Sequence, residues 1–111
     1  MKTLKFKEKL SKLILRGEKT TTWRFLDDKE ISKGDIFSMI IKETGREFAK
    51  AKIVEVYEKD FGKITEKDKD GHEKFNSDKE MYETYSGYYN RRITSRDKVK
   101  IIKFELIKNE S

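Results

Sequence analysis

Cysteine is absent from these 111 residues, and histidine occurs once, at His72. The first absence removes both a disulfide framework and a thiolate metal site. The second leaves too few imidazoles for an ordinary zinc centre. Neither a metal nor a cofactor is therefore expected. No apolar run reaches the roughly 20 residues of a membrane-spanning helix, so no membrane partner is expected either. The opening Met1-Lys2-Thr3-Leu4-Lys5-Phe6-Lys7 has no unbroken apolar stretch and does not read as a signal peptide. The expectation is a soluble cytoplasmic protein, taken as a monomer.

Apolar residues are also scarce, at 34% of the chain, with a mean hydropathy of -0.93. Aromatics nevertheless make up 12%. Because aromatic side chains bury much area each, that share argues for a packed core rather than disorder. The length allows one domain, residues 1–111, with one modest core.

Charge is present in plenty but unevenly placed. Residues 1–24 carry Lys2, Lys5, Lys7, Lys9, Lys12, Arg16, Lys19 and Arg24 against only Glu8 and Glu18, and so hold all of the chain's net charge of +6. A cationic concentration of this kind favours a polyanion, nucleic acid foremost. It is equally what the solvated face of a lysine-rich helix looks like.

Phe6, Leu10, Leu13 and Ile14 recur at helical spacing and predict a helix that stops at Gly17. Thr20 to Phe25 is β-branched and aromatic, which predicts a strand. Asp27 and Asp28 begin a loop, and Lys33-Gly34-Asp35 turns into a strand over Ile36 to Ile41. Glu43-Thr44-Gly45-Arg46 is a hairpin signal, with the chain returning along Phe48 to Tyr57. In that return the apolar phase breaks between Ile53 and Val54, and a second break separates Ile101 from Ile102 in the final strand. Such breaks predict bulged or curling strands, and two of them favour a small curved barrel. Between these strands, Ile64-Thr65-Glu66 opens a short helix. Ser77 and Glu80 have capping-box spacing before a helix ending near Asn90. The order is helix, strand, hairpin, helices, strand: an α+β fold with helices flanking a curved mixed or antiparallel sheet.

Gly17-Glu18-Lys19-Thr20-Thr21-Thr22-Trp23-Arg24 matches a Gly-x-Lys-x-x-x-x-Arg signature that follows the first helix in one known family. With Lys33-Gly34-Asp35, Asp70-Gly71-His72-Glu73-Lys74-Phe75 and the strand Val99 to Leu106, the chain resembles the ASCH (activating signal cointegrator homology) domain. The resemblance implies a small PUA-like β-barrel. It also implies one of two activities. Many members look like RNA-binding modules. One bacterial branch removes the acetyl group of N4-acetylcytidine with a lysine, a threonine three residues on and a distant glutamate. The counterparts here are Lys19, Thr22 and Glu73, with His72 and Lys74 as the neighbours of that glutamate position.

Each candidate has two readings. A buried Lys19 loses its proton more readily and can activate the Thr22 hydroxyl as a nucleophile; left charged, it binds phosphate. Thr20 is the competing hydroxyl, although a run of threonines also suits any strand. Glu73 can orient Lys19 or transfer a proton. Arg24 suits phosphate or carboxylate recognition, or else pairs with Asp27, Asp28 or the acidic helix. Trp23, Tyr57, Phe61 and Phe75 can stack on a base, but core packing is preferred for each. His72 is read as a loop hydrogen-bonder, and Tyr85, Tyr88 and Tyr89 as the seal of the barrel. Lys5, Lys9, Lys12 and Arg16 complete the basic surface expected to face RNA or a modified nucleoside. A nucleotide- or RNA-binding domain is placed first and amide hydrolysis second. An endoribonuclease comes third, because a second histidine and a metal-binding carboxylate cluster are missing.

Overall fold

The final strand carries two apolar sets, and each meets its own core in a computed structural model of the chain, which describes residues 2–25 and 30–107. Neighbouring residues of a strand face opposite ways. Strand β5 (Lys98–Leu106) accordingly packs Val99 and Ile101 with Trp23, Phe25, Phe61, Met81 and Tyr85. Its Ile102 and Phe104 pack with Leu4, Phe6, Ile14, Phe37, Met39 and Ile53 on the other side. The phase break at Ile101 is where one strand serves both surfaces.

The sheet has five strands in the order β1-β3-β4-β5-β2. Besides β5 they are β1 (Thr3–Phe6), β2 (Thr21–Arg24), β3 (Ile36–Ile41) and β4 (Glu47–Asp60). Among the described residues β1 and β3 pair in parallel, and the other neighbours are antiparallel. The register of β4 slips against β5 between Ile53 and Glu55, at the Val54 phase break. A second slip lies between Met39 and Ile40 of β3. Bulges bend a strand and increase its twist, so the sheet curls into a half-barrel with β1 and β2 at its two edges. Arg24 of β2 reaches across that opening: its Nη2 donates to the Lys5 carbonyl at 2.8 Å, and its guanidinium lies 4.8 Å above the Phe6 ring.

One expectation is corrected here. Phe6 belongs to β1, not to the first helix, and a strand therefore precedes α1 (Glu8–Leu15). Phe6 is buried because β1 pairs with β3, placing Phe6 beside Ile41. Its helical spacing from Leu10 is coincidental. The helix stops as expected, with Gly17 at φ 78° and its N–H donating to the Ile14 carbonyl at 3.0 Å.

Helix α2 (Glu66–Lys69) has a full capping box between Thr65 and Asp68. Helix α3 (Asp78–Tyr89) starts on Ser77, whose hydroxyl accepts the Glu80 N–H at 3.1 Å, and ends on Asn90 at φ 51°. The Glu80 carboxylate takes the Asn76 amide at 3.2 Å rather than returning to Ser77. Among the described residues no helix is long and apolar enough to cross a membrane. The loop expected at Asp27 and Asp28 lies outside the described residues.

Candidate functional site

After Gly17 the chain turns back under α1, and the Lys19 N–H donates to the Leu13 carbonyl at 3.3 Å. This directs the Lys19 side chain inward, where only 1% of it is exposed. Its Nζ donates to the Thr21 carbonyl at 2.7 Å and lies 2.6 Å from Glu73 Oε2. Buried ammonium groups need such partners, since leaving one unpaired is very costly.

Glu73 arrives from far along the chain because the loop bearing it is hydrogen-bonded onto the start of β2. The Gly71 carbonyl accepts from Thr20 N–H at 2.7 Å and Thr21 N–H at 3.0 Å. The Thr21 hydroxyl donates to the Asp70 carbonyl at 2.7 Å. Upstream, Asp68 ties α2 to β4: its carboxylate accepts from Tyr57 OH at 2.6 Å and Lys59 Nζ at 2.7 Å.

Burial pulls the Lys19 pKa down, the Glu73 charge and hydrogen bond push it up, and the Arg24 charge pulls it down again. The net position is about 8. At neutral pH the side chain is therefore mostly an ammonium, close to the range where it gives up its proton.

Lys19, Thr22, Arg24 and Glu73 all line one cavity of about 220 Å³ at the seam between β1 and β2. That is below the ~300–1,000 Å³ of most drug-sized sites and suits a single planar ring. Lys5, Lys7 and Lys42 stand around it, with Tyr85, Tyr88 and Tyr89 of α3 closing one side. Lys7 Nζ sits 4.6 Å over the Tyr88 ring. A second cavity, about 650 Å³, shares Trp23 and Glu73 as walls. The other charged residues in its lining are Glu18, Glu66, Asp70 and Asp78 against Lys69 and Lys74. That balance does not favour an anion, so the smaller cavity is the candidate.

The remaining sequence candidates fall in different places. Thr20 is exposed and packs on Gly71, outside the cavity. Lys9, Lys12 and Arg16 lie exposed on or just beyond α1 and do not line the cavity; Arg16 pairs with Glu18. Trp23 and Phe61 are core residues, and Trp23 stacks on His72. Tyr57 is taken up by Asp68. Arg24 is engaged with Lys5 and Phe6 across the seam.

Lys7 and Lys42 are the cavity residues that sequence reasoning passed over. They come together because the Lys42 N–H donates to the Phe6 carbonyl at 2.8 Å, at the end of the parallel β1·β3 pair. Without β1 that neighbourhood could not be read. Among the described residues no group of three or more His, Asp or Glu is placed to hold a metal.

No curated protein matches the chain. Solved structures do. The hypothetical protein PH0355 superposes with a TM-score of 0.73 at 26% identity, covering 96% of this chain and 100% of that one. The ASCH domain from Lactobacillus crispatus JV V101 gives 0.72 at 12% identity, over 95% and 79%. ASCH from Zymomonas mobilis gives 0.68 at 12% identity, over 93% and 65%. At the two lower identities the likeness is one of fold, and it is the same curled half-barrel. A family model described as the ASCH domain matches residues 2–108, and the chain belongs to the ASCH domain family.

Proposed function

We propose that the cavity over the Lys19–Glu73 pair binds a nucleotide, either free or as one unit of a single RNA strand. The observation that carries this reading is the cavity's composition. Lys5, Lys7, Lys19, Arg24 and Lys42 face it against one carboxylate, Glu73, with tyrosine rings on one side. Aromatic walls accept a base by stacking, and a cationic rim accepts its phosphate. Such a ligand fits a monomeric cytoplasmic protein.

The test is the salt dependence of binding to a short single-stranded RNA. Each phosphate neutralised adds about 0.7 to the slope of log affinity against log salt. Replacing Lys5, Lys7 and Lys42 together by Gln should therefore flatten the slope by about 2. Binding that ignores salt would sink the reading.

Amide hydrolysis of an N4-acetylcytidine-type nucleoside is a second reading. It is favoured by the lowered pKa of Lys19 and by Thr22 lining the same cavity. Neutral Lys19 would take the Thr22 hydroxyl proton as that oxygen attacks the acetyl carbon, and would pass the proton to N4 as the C–N bond breaks and cytidine leaves. Water would then hydrolyse the acetyl-Thr22 ester to acetate, with Glu73 holding the lysine throughout. Thr22→Val keeps the shape and removes the nucleophile. Hydrolysis lost with binding retained would favour the enzyme; wild-type protein without turnover would leave the binding module.

A further inference from the structure

Between the two cavities the Tyr85 ring of the cavity wall is joined to the buried His72, and nucleotide binding leaves that hydrogen bond without a task. His72, 5% exposed, lies 3.7 Å centroid to centroid from the Trp23 indole at an angle of 18°. Tyr85 of α3, 4% exposed, meets it from another side. His72 Nδ1 is 2.8 Å from the Glu73 carbonyl oxygen, which can only accept. The ring proton is therefore assigned to Nδ1. That leaves a lone pair on Nε2, which accepts the Tyr85 O–H at 2.7 Å. Burial first, and then the nearby Lys19 charge, lower the imidazole pKa to about 2, so the ring is neutral at physiological pH.

A neutral ring cannot form an ion pair with Glu73 Oε1, although Nε2 comes within 3.2 Å of it. An unprotonated Nε2 offers the carboxylate no hydrogen bond at that contact. Lys19, 2.6 Å from Oε2, is then the partner left to it. His72 holds Glu73 by its backbone while denying its carboxylate an alternative seat.

We propose that Tyr85 and His72 are positioning residues, a hydrogen-bonded relay from α3 that fixes Glu73 against Lys19 and so sets the charge at the floor of the cavity. This deepens the nucleotide reading and rests on it for its effect on affinity. The placement of Glu73 can be measured without any ligand.

Three variants separate the relay from simple packing. Tyr85→Phe keeps the ring among Phe25 and Phe61 and removes only the hydroxyl. His72→Phe keeps the stack on Trp23 and removes both nitrogens. His72→Asn keeps a donor near the Nδ1 position and loses the stack. Thermal unfolding reports folding, side-chain NMR titration reports the Lys19 midpoint, and a short single-stranded RNA reports binding.

Tyr85→Phe and His72→Phe should lower the Lys19 midpoint by about one unit, because the carboxylate that supports its charge is loosened. At pH 7 that takes Lys19 from about nine-tenths to about half protonated, so RNA affinity should fall about twofold. His72→Asn has no acceptor at the Nε2 position for the Tyr85 hydroxyl, so its midpoint should fall as in Tyr85→Phe. A Lys19 midpoint that is unchanged or raised in folded Tyr85→Phe overturns the relay. So does a wild-type midpoint in folded His72→Asn, which has lost the acceptor for the Tyr85 hydroxyl. If His72→Phe fails to fold, Tyr85→Phe decides. Wild-type protein that binds no RNA would end the nucleotide reading, and the Lys19 midpoints would still decide the relay.

Discussion

Gly71 docks on Thr20 with no room to spare. Its carbonyl takes the Thr20 N–H at 2.7 Å, and a Cβ added to Gly71 would fall 2.1 Å from the Thr20 hydroxyl oxygen. The backbone there also has φ 77°, a conformation that side chains disfavour. This contact brings the Glu73 loop to the start of β2.

Gly71→Ala should therefore cost about 3 kcal/mol or more, combining left-handed strain with the clash. Gly45→Ala is the control. Gly45 has φ 73° in an exposed turn with nothing near its missing Cβ, so the loss there should be only about 1 kcal/mol. Urea unfolding of the two variants makes the comparison, and equal losses would contradict the docking argument.

The Lys19 pKa links stability to alkaline pH. The group binds a proton less tightly folded, at about 8, than at its ordinary 10.5. Between those values the unfolded chain holds more protons, so the Lys19 contribution to stability rises with pH. Below about pH 8 the folded state carries the full cost of the buried charge. Wild-type stability should thus gain on Lys19→Met as pH climbs from about 8 to 10.5, by up to about 3 kcal/mol. Denaturant melts across that window check it, and parallel curves would mean that Lys19 is not buried as an ammonium.

Asp68 links stability to acid in the opposite sense. Burial would raise its pKa, but hydrogen bonds from Lys59, Tyr57 and Thr65 outweigh that and hold it well below the ordinary carboxylate range. The stabilisation is present above about pH 4 and is lost as pH falls toward the folded pKa. Asp68→Asn should cost about 2–4 kcal/mol at neutral pH, because the charge is lost and the oxygen that accepts from Lys59 and Thr65 becomes an NH2, while the one facing Tyr57 can remain. The gap between variant and wild type should close as the pH falls below about 4, which acid-range melts can follow.

Much of the frame was legible because it is written locally. The break in alternation at Val54 announced the slip of β4 on β5. Ser77 and Asn90 marked the ends of α3, and Gly17 marked the stop of α1. What escaped notice depends on contacts far apart in the chain. β1 has four residues, and Phe6 fell in helical phase with Leu10, so only its parallel pairing with β3 defines it. The cavity wall at Lys7 and Lys42 follows from that pairing and escaped with it. His72 was read as a loop hydrogen-bonder, and it does donate to its neighbour's carbonyl. Its stack on Trp23 and its link to Tyr85 needed three segments folded together. Arg24 Nη2 donates across the seam to the Lys5 carbonyl, a contact only the β1 and β2 edges together reveal, while Asp27 and Asp28 lie outside the described residues.

The most direct test of the central claim is to follow the side-chain NMR signals of the lysines, labelled with nitrogen-15, as a short single-stranded RNA is added. The account predicts saturable shifts at Lys19, Lys5, Lys7 and Lys42, with Lys9, Lys12 and Lys69 little affected. Saturable binding that moves the α1 lysines and leaves Lys19 unchanged would contradict it.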